Sequence, residues 1–564
     1  MVQPIIEAAV DTLIDSGVEY TFGVPGGGAL FLYGPLHEKR DRITSILARQ
    51  EGAAACMADA YGRITGKPAA LIAQGAWAGS NAAFGILEAY MAGSPMVIIA
   101  DTSDYGGLAQ YGPWQNGTGE YGGFDLPGMM RAMTKYTTVA TTPDELLHGI
   151  QLAARHAVTG RPGPACVLAR MNLFGMSVDM EKMTPRMYPA SLRARAGAPC
   201  LTEEDARRIA VMLSEAACPV MIAGRGVHAA RAYDEVRAIA ELLAMPVTTS
   251  YMGKSAIAET HELALGTMGG IGQAAANEYI AKADCILAVG TGLSPENTRM
   301  LAPGFIDPDR QKLVHIDIEA LNAGWTYPAS IAAASDAKSG LAGIIAVLRN
   351  MKPSFDRAAR LAAVGEAKKR TCFFACDAYC SDAAPIAPER VVKELNDATD
   401  GNAVICLDAG NNRQWFAKHF MSKAPGQVLA PGGAGGVGWG PPAALAAQML
   451  LGDRKVVGVC GDGGMIMMLH CLETAVQYRL PVTYVVLNNS VLGNIRDFQG
   501  QDCRYCTEYQ TPDLAAHAKA SGLRAFRVTE PADLSAALRD ALDCGEPSLV
   551  DIITAPEAHF KLMC

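Results

Sequence analysis

The stretch KVVGVCGDGGMIMMLHCLETAVQYRLPVTYVVLNN (455–489) contains two apolar strand patterns, KVVGVC and VTYVVL, separated by a helical pattern that runs to Pro481. The first strand pattern ends at Gly-Asp-Gly (461–463), and the second ends at Asn-Asn (488–489). Two strands joined by a helix pair in parallel, so their carboxyl ends meet at one edge of the sheet. The stretch therefore predicts a parallel α/β sheet with both polar clusters at the same edge.

These two polar clusters have the chemistry of a site for a divalent cation. Asp462 and Asn489 offer hard oxygen ligands, and the backbone carbonyl of Val491 is a third candidate. Such a set suits Mg²⁺ or Ca²⁺, with phosphate oxygens and water completing the coordination. Either motif alone is typical of a turn, but the 24 residues that separate them, after two strands, favour a metal site. Backbone N–H groups can approach an anion at the glycines around Asp462, which are Gly461, Gly463 and Gly464.

The same alternation of short apolar strands and helical patterns occurs in three segments of the chain, which is typical of parallel α/β sheets. We predict domains at 1–175, 201–350 and 389–564, joined by polar, proline-containing linkers at 176–200 and 351–388. The strands that we predict are YTFGV, TSILA, AALIA and MVIIA in the first domain, PVMIAG, MPVTTS, CILAVG and KLVHIDI in the second, and NAVICLDAG, KVVGVCGDG, PVTYVVLNN and PSLVDIIT in the third.

Composition excludes several classes of protein. The chain has 564 residues, half of them apolar, and a formal net charge of −9, which suits a soluble globular protein and gives no reason to expect a nucleic-acid partner. No apolar run approaches the ~18 residues that span a bilayer, so we expect no membrane partner. The odd number of cysteines, 15, predicts reduced thiols in a cytoplasm. Three of them have the spacing of one helix face, which favours core or interface over metal binding, namely Cys372, Cys376 and Cys380.

The motif GDG-x24-NN resembles the signature of thiamine diphosphate enzymes, and nearly the whole chain resembles their acetohydroxyacid synthase/pyruvate oxidase branch. This resemblance implies an α/β fold of three domains, in which a pyrimidine-binding and a diphosphate-binding domain flank a central Rossmann-like domain. It also implies that Asp462, Asn489 and the Val491 carbonyl bind Mg²⁺, and that the Mg²⁺ holds the diphosphate of the cofactor.

Two further stretches of the third domain carry the resemblance. In LDAGNNRQW (407–415), which includes Gly410, Asn411 and Asn412 replace a glutamine and a histidine that contact the diphosphate in such synthases. These asparagines can still donate hydrogen bonds but cannot carry charge. In PGGAGGVGWGPPAA (431–444), Val437 stands where the family uses a bulky apolar residue to force the bent cofactor conformation. The carbonyl of Gly435 would accept a hydrogen bond from the 4′-amino group.

The candidate catalytic carboxylate lies in ILARQEGAAACMADAYGRITGK (46–67), where Glu51 starts an alanine-rich helix after an apolar strand. A glutamate in a first helical turn also stabilises the helix dipole, which is the structural alternative. The segment resembles the RHEQGAAHMAEGYAR-like stretch of acetohydroxyacid synthases, which implies that Glu51 hydrogen-bonds N1′ of the cofactor. The 4′-imino group would then take the C2 proton, and the resulting ylid would be the nucleophile. This role requires Glu51 to be sheltered from water.

Two other stretches of the first domain resemble cofactor and substrate elements of the family. GVPGGGALFLY (23–33) resembles its glycine-rich loop, in which Gly26 and Gly27 would bring backbone amides near the reacting carbonyl, with Val24 and Gly28 beside the substrate. A plain turn is the alternative. AWAGSNAAFGILEAY (76–90) corresponds to the turn and helix beside the pyrimidine, where Asn81 is the candidate contact.

Several positions depart from the pattern of true biosynthetic synthases, which argues against a true biosynthetic acetohydroxyacid synthase and limits what the resemblance implies about the substrate. Gln50 replaces a histidine that is common in the family. In EYGGFDLPGMMRAMTKY (120–136), Tyr121 and Gly122 stand where synthases carry Phe-Gln, and loss of that glutamine side chain should open space or change what binds beside C2 of the cofactor. In IRDFQG (495–500), Phe498 lies near the position of a tryptophan that helps to select the second keto acid.

The resemblance also bears on assembly and on a second cofactor. It implies that Glu51 and the GDG motif meet across a subunit interface in a homodimer or homotetramer. In the central domain, the glycine turn of CILAVGTGLSPENTR (285–299) could contact the ADP part of FAD. The arginine-bearing RFDDR-type segment of FAD-binding synthases is replaced by GLSPENTR, however, so FAD is not favoured, and an empty or ADP-occupied domain is the alternative.

The sequence therefore predicts a thiamine diphosphate- and Mg²⁺-dependent carboligase or lyase that acts on a small 2-keto acid. In the acetolactate synthase-like reaction, the keto acid is decarboxylated to a cofactor-bound enamine, which then adds to a second carbonyl. One alternative is a thiamine diphosphate-dependent decarboxylase or C–C bond-cleaving lyase or hydrolase. A second is an FAD-containing oxidoreductase of the pyruvate oxidase type, and a third is a cofactor-binding protein without turnover, against which Glu51 argues.

Overall fold

Three six-stranded sheets, in which every strand pair is parallel, carry the fold. The structure, a computed structural model, describes residues 2–104, 115–119, 122–190, 197–499 and 503–562. The chain forms two compact units, the first made of 1–197, 431–452 and 468–480 and the second of 198–430, 453–467 and 481–564. The predicted α/β class with three mainly parallel sheets is confirmed. The predicted domain boundaries stay predictions.

The first unit contains the sheet β3-β2-β4-β5-β7-β6 and a separate antiparallel pair, β1-β8. Its strands are β1 (Val2–Pro4), β2 (Tyr20–Gly23), β3 (Thr44–Leu47), β4 (Ala69–Ala73), β5 (Met96–Asp101), β6 (Tyr136–Ala140), β7 (Pro164–Ala169) and β8 (Ser177–Asp179). The helices of this part of the chain are α1 (Ile5–Asp15), α2 (Tyr33–Glu38), α3 (Glu51–Thr65), α4 (Gly75–Gly79), α5 (Ala83–Ala92), α6 (Leu126–Met133) and α7 (Pro143–Val158).

The second unit contains two sheets, and the first of them has the order β11-β10-β9-β12-β13-β14. Its strands are β9 (Pro219–Ala223), β10 (Val247–Thr249), β11 (Ala264–Thr267), β12 (Cys285–Val289), β13 (Lys312–Asp317) and β14 (Ile331–Ala334). The helices are α8 (Glu203–Glu215), α9 (Arg225–Ala230), α10 (Tyr233–Leu243), α11 (Ala274–Lys282), α12 (Ala337–Met351) and α13 (Arg357–Arg370).

The third sheet has the order β16-β15-β17-β18-β20-β19 and belongs to the second unit. Its strands are β15 (Val404–Leu407), β16 (Val428–Leu429), β17 (Val456–Gly461), β18 (Thr483–Asn488), β19 (Arg524–Val528) and β20 (Ser548–Ile553). The helices of the same stretch of chain are α14 (Pro388–Ala398), α15 (Asn411–His419), α16 (Gly440–Leu450), α17 (Asp462–Met467), α18 (His470–Gln477), α19 (Gly493–Gln499), α20 (Leu514–Ala520) and α21 (Pro531–Asp543). Helices α16 and α18 fall within the first unit.

Helix α3 shows how small residues position a functional side chain. The Gln50 side chain accepts a hydrogen bond from the Ala53 N–H and caps the helix, which ends at Gly66 with φ of 72°. Residues 51–62 are all buried, because alanine and glycine let neighbouring helices approach closely. A Cβ at Gly85 of α5 would lie 2.6 Å from the Ala55 Cβ, so this crossing requires glycine. The packing fixes the start of α3, and with it Glu51.

The stretch 351–388 contains a helix, and one expectation about this stretch needs correction. Helix α13 lies inside the segment for which the sequence predicts a linker, because this helix buries little more than Val364 and Ala367 and therefore has a weak apolar pattern. The helical face predicted for the three cysteines is wrong: α13 ends at Arg370, and Cys372 and Phe374 have positive φ angles of 52° and 48°, which no α-helix contains.

Among the described residues, no helix is long and apolar enough to cross a membrane.

Candidate active site

The loops that follow β17 and β18 are joined through Asp462 in the second unit. Asp462 begins α17 directly after β17 and is 2% exposed. The Ser490 N–H and the Thr511 hydroxyl both donate to its Oδ2 atom at 2.8 Å. The Gly-Asp-Gly loop and the loop after Asn488-Asn489 are therefore in direct contact at the carboxyl edge of the sheet.

The two asparagines after β18 have different environments. Asn488 is buried and donates to Oδ1 of Asp551 at 2.8 Å, so its side chain ties β18 to β20. Burial raises the pKa of the Asp551 carboxyl. Asn489 uses its Oδ1 atom to accept from the Val491 N–H at 3.2 Å, across Ser490, which has a φ of 57°. The tight turn keeps Asn489 and Val491 beside each other.

The start of α15 brings two more amides to this edge. Gly410 precedes α15 with φ of 96°, and the next residue, Asn411, donates to Oδ2 of Asp497 at 3.0 Å. A Cβ at Gly493 would lie 2.7 Å from Asn411 Nδ2 and 3.6 Å from Asn489 Nδ2, so glycine lets these two asparagines flank the start of α19.

Asn412, the second residue of α15, has a different environment. Its side chain donates to the Asp408 carbonyl at 3.0 Å. A Cβ at Gly461 would lie 3.9 Å from both the Asn412 Oδ1 atom and the Leu487 carbonyl oxygen, which are the nearest described atoms beyond the two chain neighbours of this glycine. The strand ends of β15 and β17 thus leave space beside Gly461, with an amide on one side of it.

These residues fit a divalent cation with a bound diphosphate. In the described residues, Asp462 is buried and its pKa responds to burial and hydrogen bonds but to no basic side chain, so a bound cation would stabilise its charge. Burial raises its pKa, and the hydrogen bonds from Thr511 and Ser490 oppose the rise. The Oδ1 atom of Asn411 is also buried and has no hydrogen-bond partner within the described chain. One carboxylate with amide and carbonyl oxygens is a set that Mg²⁺ accepts when phosphates supply other ligands.

In the first unit, the candidate catalytic carboxylate is that of Glu51. It is 8% exposed at the first turn of α3, and its Oε2 atom accepts from Asn81 Nδ2 at 3.0 Å. The neighbouring Gln50 side chain is engaged in the helix cap. The Glu51 carboxylate is therefore sheltered and held in one orientation, as a group that bonds an aminopyrimidine nitrogen requires.

Asp101, at the end of β5, holds the glycine-rich loop after β2. This fully buried carboxylate accepts from the Gly28 N–H at 3.0 Å and the Gly75 N–H at 3.1 Å. Gly27 has φ of 56°, and a Cβ there would lie 2.8 Å from an Asp101 oxygen, so the loop requires glycine. Val24 and Gly26 are partly exposed beside it. The strand MVIIAD ends in this aspartate, a signal that sequence reasoning missed.

The loop 431–438 belongs to the first unit and has a tightly fixed backbone. Gly435 and Gly438 have positive φ angles of 67° and 99°. A Cβ at Gly436 would lie 2.1 Å from a ring carbon of Phe84, so this position also requires glycine. Val437 remains 38% exposed beside it. A buried glutamate of α5, Glu88, bonds the backbone of this loop; it too was missed from the sequence, although it is the charged residue of the otherwise apolar helix AFGILEAYMA.

The remaining predicted pocket residues belong to different units of the chain. Gly122 has φ of 80°, in the left-handed region that favours glycine. Tyr121 lies outside the described residues. Phe498 is on α19 of the second unit and is 69% exposed.

A histidine–aspartate pair next to Phe498 was also missed from the sequence. His559 Nδ1 lies 2.7 Å from Asp497 Oδ1, and Asp497 is the residue that accepts from Asn411. The buried ring of Phe560 packs edge-on against Trp415, with centroids 4.9 Å apart, and anchors the segment that carries His559. The partners are 62 positions apart in the chain, which hides this pair from any local pattern.

The glycine turn after β12 has a structural explanation. The Gly226 N–H donates to the Gly290 carbonyl at 2.9 Å, and a Cβ at Gly290 would lie 2.5 Å from Gly226 Cα. Backbone packing alone therefore requires glycine at these positions, and the predicted contact with a flavin stays a prediction.

The sequence matches three protein-family models in chain order: the N-terminal TPP binding domain of thiamine pyrophosphate enzymes at 5–119, their central domain at 206–344, and their C-terminal TPP binding domain at 408–552.

Curated relatives match over nearly their full length. The probable acetolactate synthase large subunit of Methanocaldococcus jannaschii is 30% identical, over 98% of this chain and 92% of the relative. The acetolactate synthase isozyme 3 large subunit of Escherichia coli is 30% identical, over 95% and 92%. The acetolactate synthase large subunit of Lactococcus lactis is 27% identical, over 98% and 93%.

Proposed function

Because the chain belongs to the thiamine pyrophosphate-dependent enzymes, on the acetohydroxyacid synthase-like branch, we propose that it is a Mg²⁺-dependent carboligase that acts on a small 2-keto acid such as pyruvate. The observation that carries this proposal is the sheltered Glu51 carboxylate, held by Asn81. A protein that merely binds the cofactor has no need of it. The relatives named as acetolactate synthases support ligation over simple decarboxylation.

Different residues of the chain would bind the aminopyrimidine end and the diphosphate end of the cofactor. When bound, thiamine diphosphate supplies the carbon nucleophile and the electron sink for loss of CO₂. Glu51 would hold the proton at the pyrimidine N1′, and Gly435 would accept from the 4′-amino group while Val437 supports the bent conformation. At the diphosphate end, Asp462, Asn489 and the Val491 carbonyl would bind Mg²⁺, which would hold the diphosphate. The residues beside the phosphates would be Gly410, Asn411, Asn412, Gly461, Gly463 and Gly464.

Substrate selection would depend on the glycine-rich loop after β2 and on positions that differ from true synthases. We assign Gly26 and Gly27 to the reacting carbonyl through their backbone amides, with Val24, Gly28 and Gln50 nearby. Gly122, Tyr121 and Phe498 would shape the space for the donor side chain and the acceptor.

A homodimer or homotetramer with the active site at the subunit interface is part of the proposal. The cysteines in the described chain are free thiols, which supports a cytoplasmic location.

Product analysis tests the reaction. We expect NMR of an incubation of pyruvate with the protein, thiamine diphosphate and Mg²⁺ to reveal acetolactate or acetoin, and to lose the signal when either cofactor is omitted. Free acetaldehyde as the sole product would mean that the enzyme is a decarboxylase and not a carboligase. If the cofactor binds but pyruvate is not consumed, the pyruvate assignment is wrong, and a panel of 2-keto acids, acyloins and diketones identifies the donor.

The oxidoreductase alternative makes a different prediction. A pyruvate oxidase-type enzyme would hold FAD tightly and would be yellow after purification. We expect a colourless protein, because backbone packing already accounts for the glycine turn at 290. A flavin absorption band that stays with the protein through gel filtration, together with electron transfer from pyruvate to oxygen or a quinone, would contradict the carboligase assignment.

A further inference from the structure

The carboxylate of Glu88 binds four consecutive backbone amides of the loop 431–438. Its side chain is 1% exposed in the middle of α5. The Gly432 and Gly433 N–H groups donate to Oε1 at 3.0 Å each. The Ala434 and Gly435 N–H groups donate to Oε2 at 2.8 Å each. Four amides in a row therefore point at one buried anion, which is the arrangement of an anion-binding nest with the anion supplied by the protein itself.

Helix α3 holds this carboxylate from its other side. Arg63 donates to Glu88 Oε1 at 2.7 Å and to both oxygens of Asp59, at 2.7 and 3.0 Å. Trp439, just after the loop, donates from Nε1 to Asp59 at 2.8 Å, and its ring lies 4.6 Å from the Arg63 guanidinium. The loop is thus held at its start by Glu88 of α5, which Arg63 of α3 bonds in turn, and just after its end by Asp59 of α3.

The charge of Glu88 is stabilised in this setting. Burial alone would raise the pKa of Glu88, but the Arg63 guanidinium and the backbone N–H groups lower it to about 2. The folded-state pKa is lower than the ordinary value of 4.5, so the stability that the charge contributes is present above pH 4.5 and is lost as the pH falls towards 2. Glu88 therefore remains an anion throughout the neutral range.

The loop needs such an anchor because its sequence is rich in glycine. PGGAGGVG (431–438) contains five glycines, which lose the most conformational freedom on ordering. A Cβ at Gly433 would lie 2.7 Å from the Ala92 N atom, so the loop also packs directly on the end of α5. Sequence alone does not fix this backbone, and the hydrogen bonds to Glu88 do.

We propose that Glu88 is a positioning residue for the cofactor: by binding the amides of 432–435, it fixes the places of the Gly435 carbonyl and the Val437 side chain. The inference rests on the proposed function, which assigns those two groups to the aminopyrimidine and to the bent conformation. A misplacement of about 1 Å at such groups costs about 100-fold in rate. Glu88 touches neither cofactor nor substrate and acts through the loop.

The variant Glu88→Gln tests this role in the full-length protein. Glutamine keeps the length but replaces one acceptor oxygen by an N–H₂ donor, which faces amide donors. We expect hydrogen exchange of the 432–435 amides to be about tenfold faster, the Kd for thiamine diphosphate with Mg²⁺ to rise about tenfold, and kcat to fall about 10–100-fold with little change in the substrate KM. Glu88→Asp, which keeps the charge, should restore part of the exchange protection and is the second variant if Glu88→Gln does not fold.

Glu259→Gln is the matched control. Glu259 is another buried glutamate, paired with Lys254 Nζ at 2.7 and 2.8 Å and bonded by the Ser422 N–H, all within the second unit. We expect this variant to lower Tm but to leave exchange at 432–435, cofactor affinity and kcat at wild-type values well below its Tm.

The outcomes separate the two proposals. If Glu88→Gln lowers Tm like the control but keeps wild-type exchange, cofactor affinity and kcat, Glu88 is merely structural and the inference is overturned. Exchange and cofactor binding are measured without turnover. A wild-type protein that binds thiamine diphosphate but makes no ligation product therefore overturns the carboligase proposal alone.

Discussion

Glu51→Gln should lower kcat by ~10²–10⁴-fold while leaving the affinity for thiamine diphosphate close to the wild-type value. Glutamine fills the same space and can still accept from Asn81, so the start of α3 is preserved. It cannot take up or release a proton at the pyrimidine nitrogen. The turnover assay is run at saturating cofactor, and a calorimetric titration with thiamine diphosphate in the presence of Mg²⁺ measures the affinity.

The control for this prediction separates catalysis from helix stability. Glu145 also lies in the first turn of a helix, α7, where its side chain completes a capping box with Thr142. Glu145→Gln makes the same chemical change and should cost at most about 1 kcal/mol of stability with no effect on turnover. Equal turnover in Glu51→Gln and Glu145→Gln would mean that Glu51 serves the helix dipole alone.

Asp462→Ala should abolish the Mg²⁺-dependent retention of thiamine diphosphate. Loss of residues that merely support a metal ligand lowers metal affinity 10–100-fold, so we expect at least about 100-fold for loss of the single carboxylate at this site. The substitution also leaves the Ser490 N–H and the Thr511 hydroxyl without their acceptor, which costs about 1–3 kcal/mol of stability each. Calorimetry across a Mg²⁺ titration measures the affinity, and circular dichroism establishes that the variant is folded.

Asp551→Asn is the matched control for Asp462. Asp551 is a buried carboxylate of the same sheet, bonded to Asn488 and outside the proposed ligand set. Its substitution should destabilise the second unit but leave the Mg²⁺ dependence of cofactor binding unchanged. A folded Asp462→Ala variant that binds thiamine diphosphate with normal affinity would refute the metal site.

The parts of this molecule that were predictable from sequence depend on local patterns. An apolar strand followed by a polar turn locates Asp462 and Asn489 at the ends of β17 and β18, and neighbouring parallel strands bring those ends together. A glutamate at the first turn of an alanine-rich helix is likewise visible, because helix start and composition coincide at Glu51. The three-sheet α/β class follows from repetition of the same strand–helix pattern.

The parts that sequence did not reveal depend on partners far apart in the chain. Glu88 meets amides 344–347 residues away, and no periodicity encodes such a contact. The cysteine spacing at 372–380 led to a wrong expectation. Spacing places residues on one face only if the backbone is helical, and Cys372 adopts a positive φ instead.

The interleaving of the first unit has a consequence for biosynthesis. Arg63 and Asp59 belong to the first tenth or so of the chain, whereas the Trp439 partner of Asp59 and the amides bound by Glu88 are made some 340–380 residues later. The nascent N-terminal segment contains the charged cluster of Asp59, Arg63 and Glu88. Until the ribosome has released residues 431–452, this cluster lacks the Trp439 side chain and the backbone amides that donate hydrogen bonds to it. Domains usually fold as they emerge. Here completion of the segment that begins with Glu51 must be post-translational or very late in synthesis, and a nascent chain stalled before residue 431 should remain a substrate for chaperones.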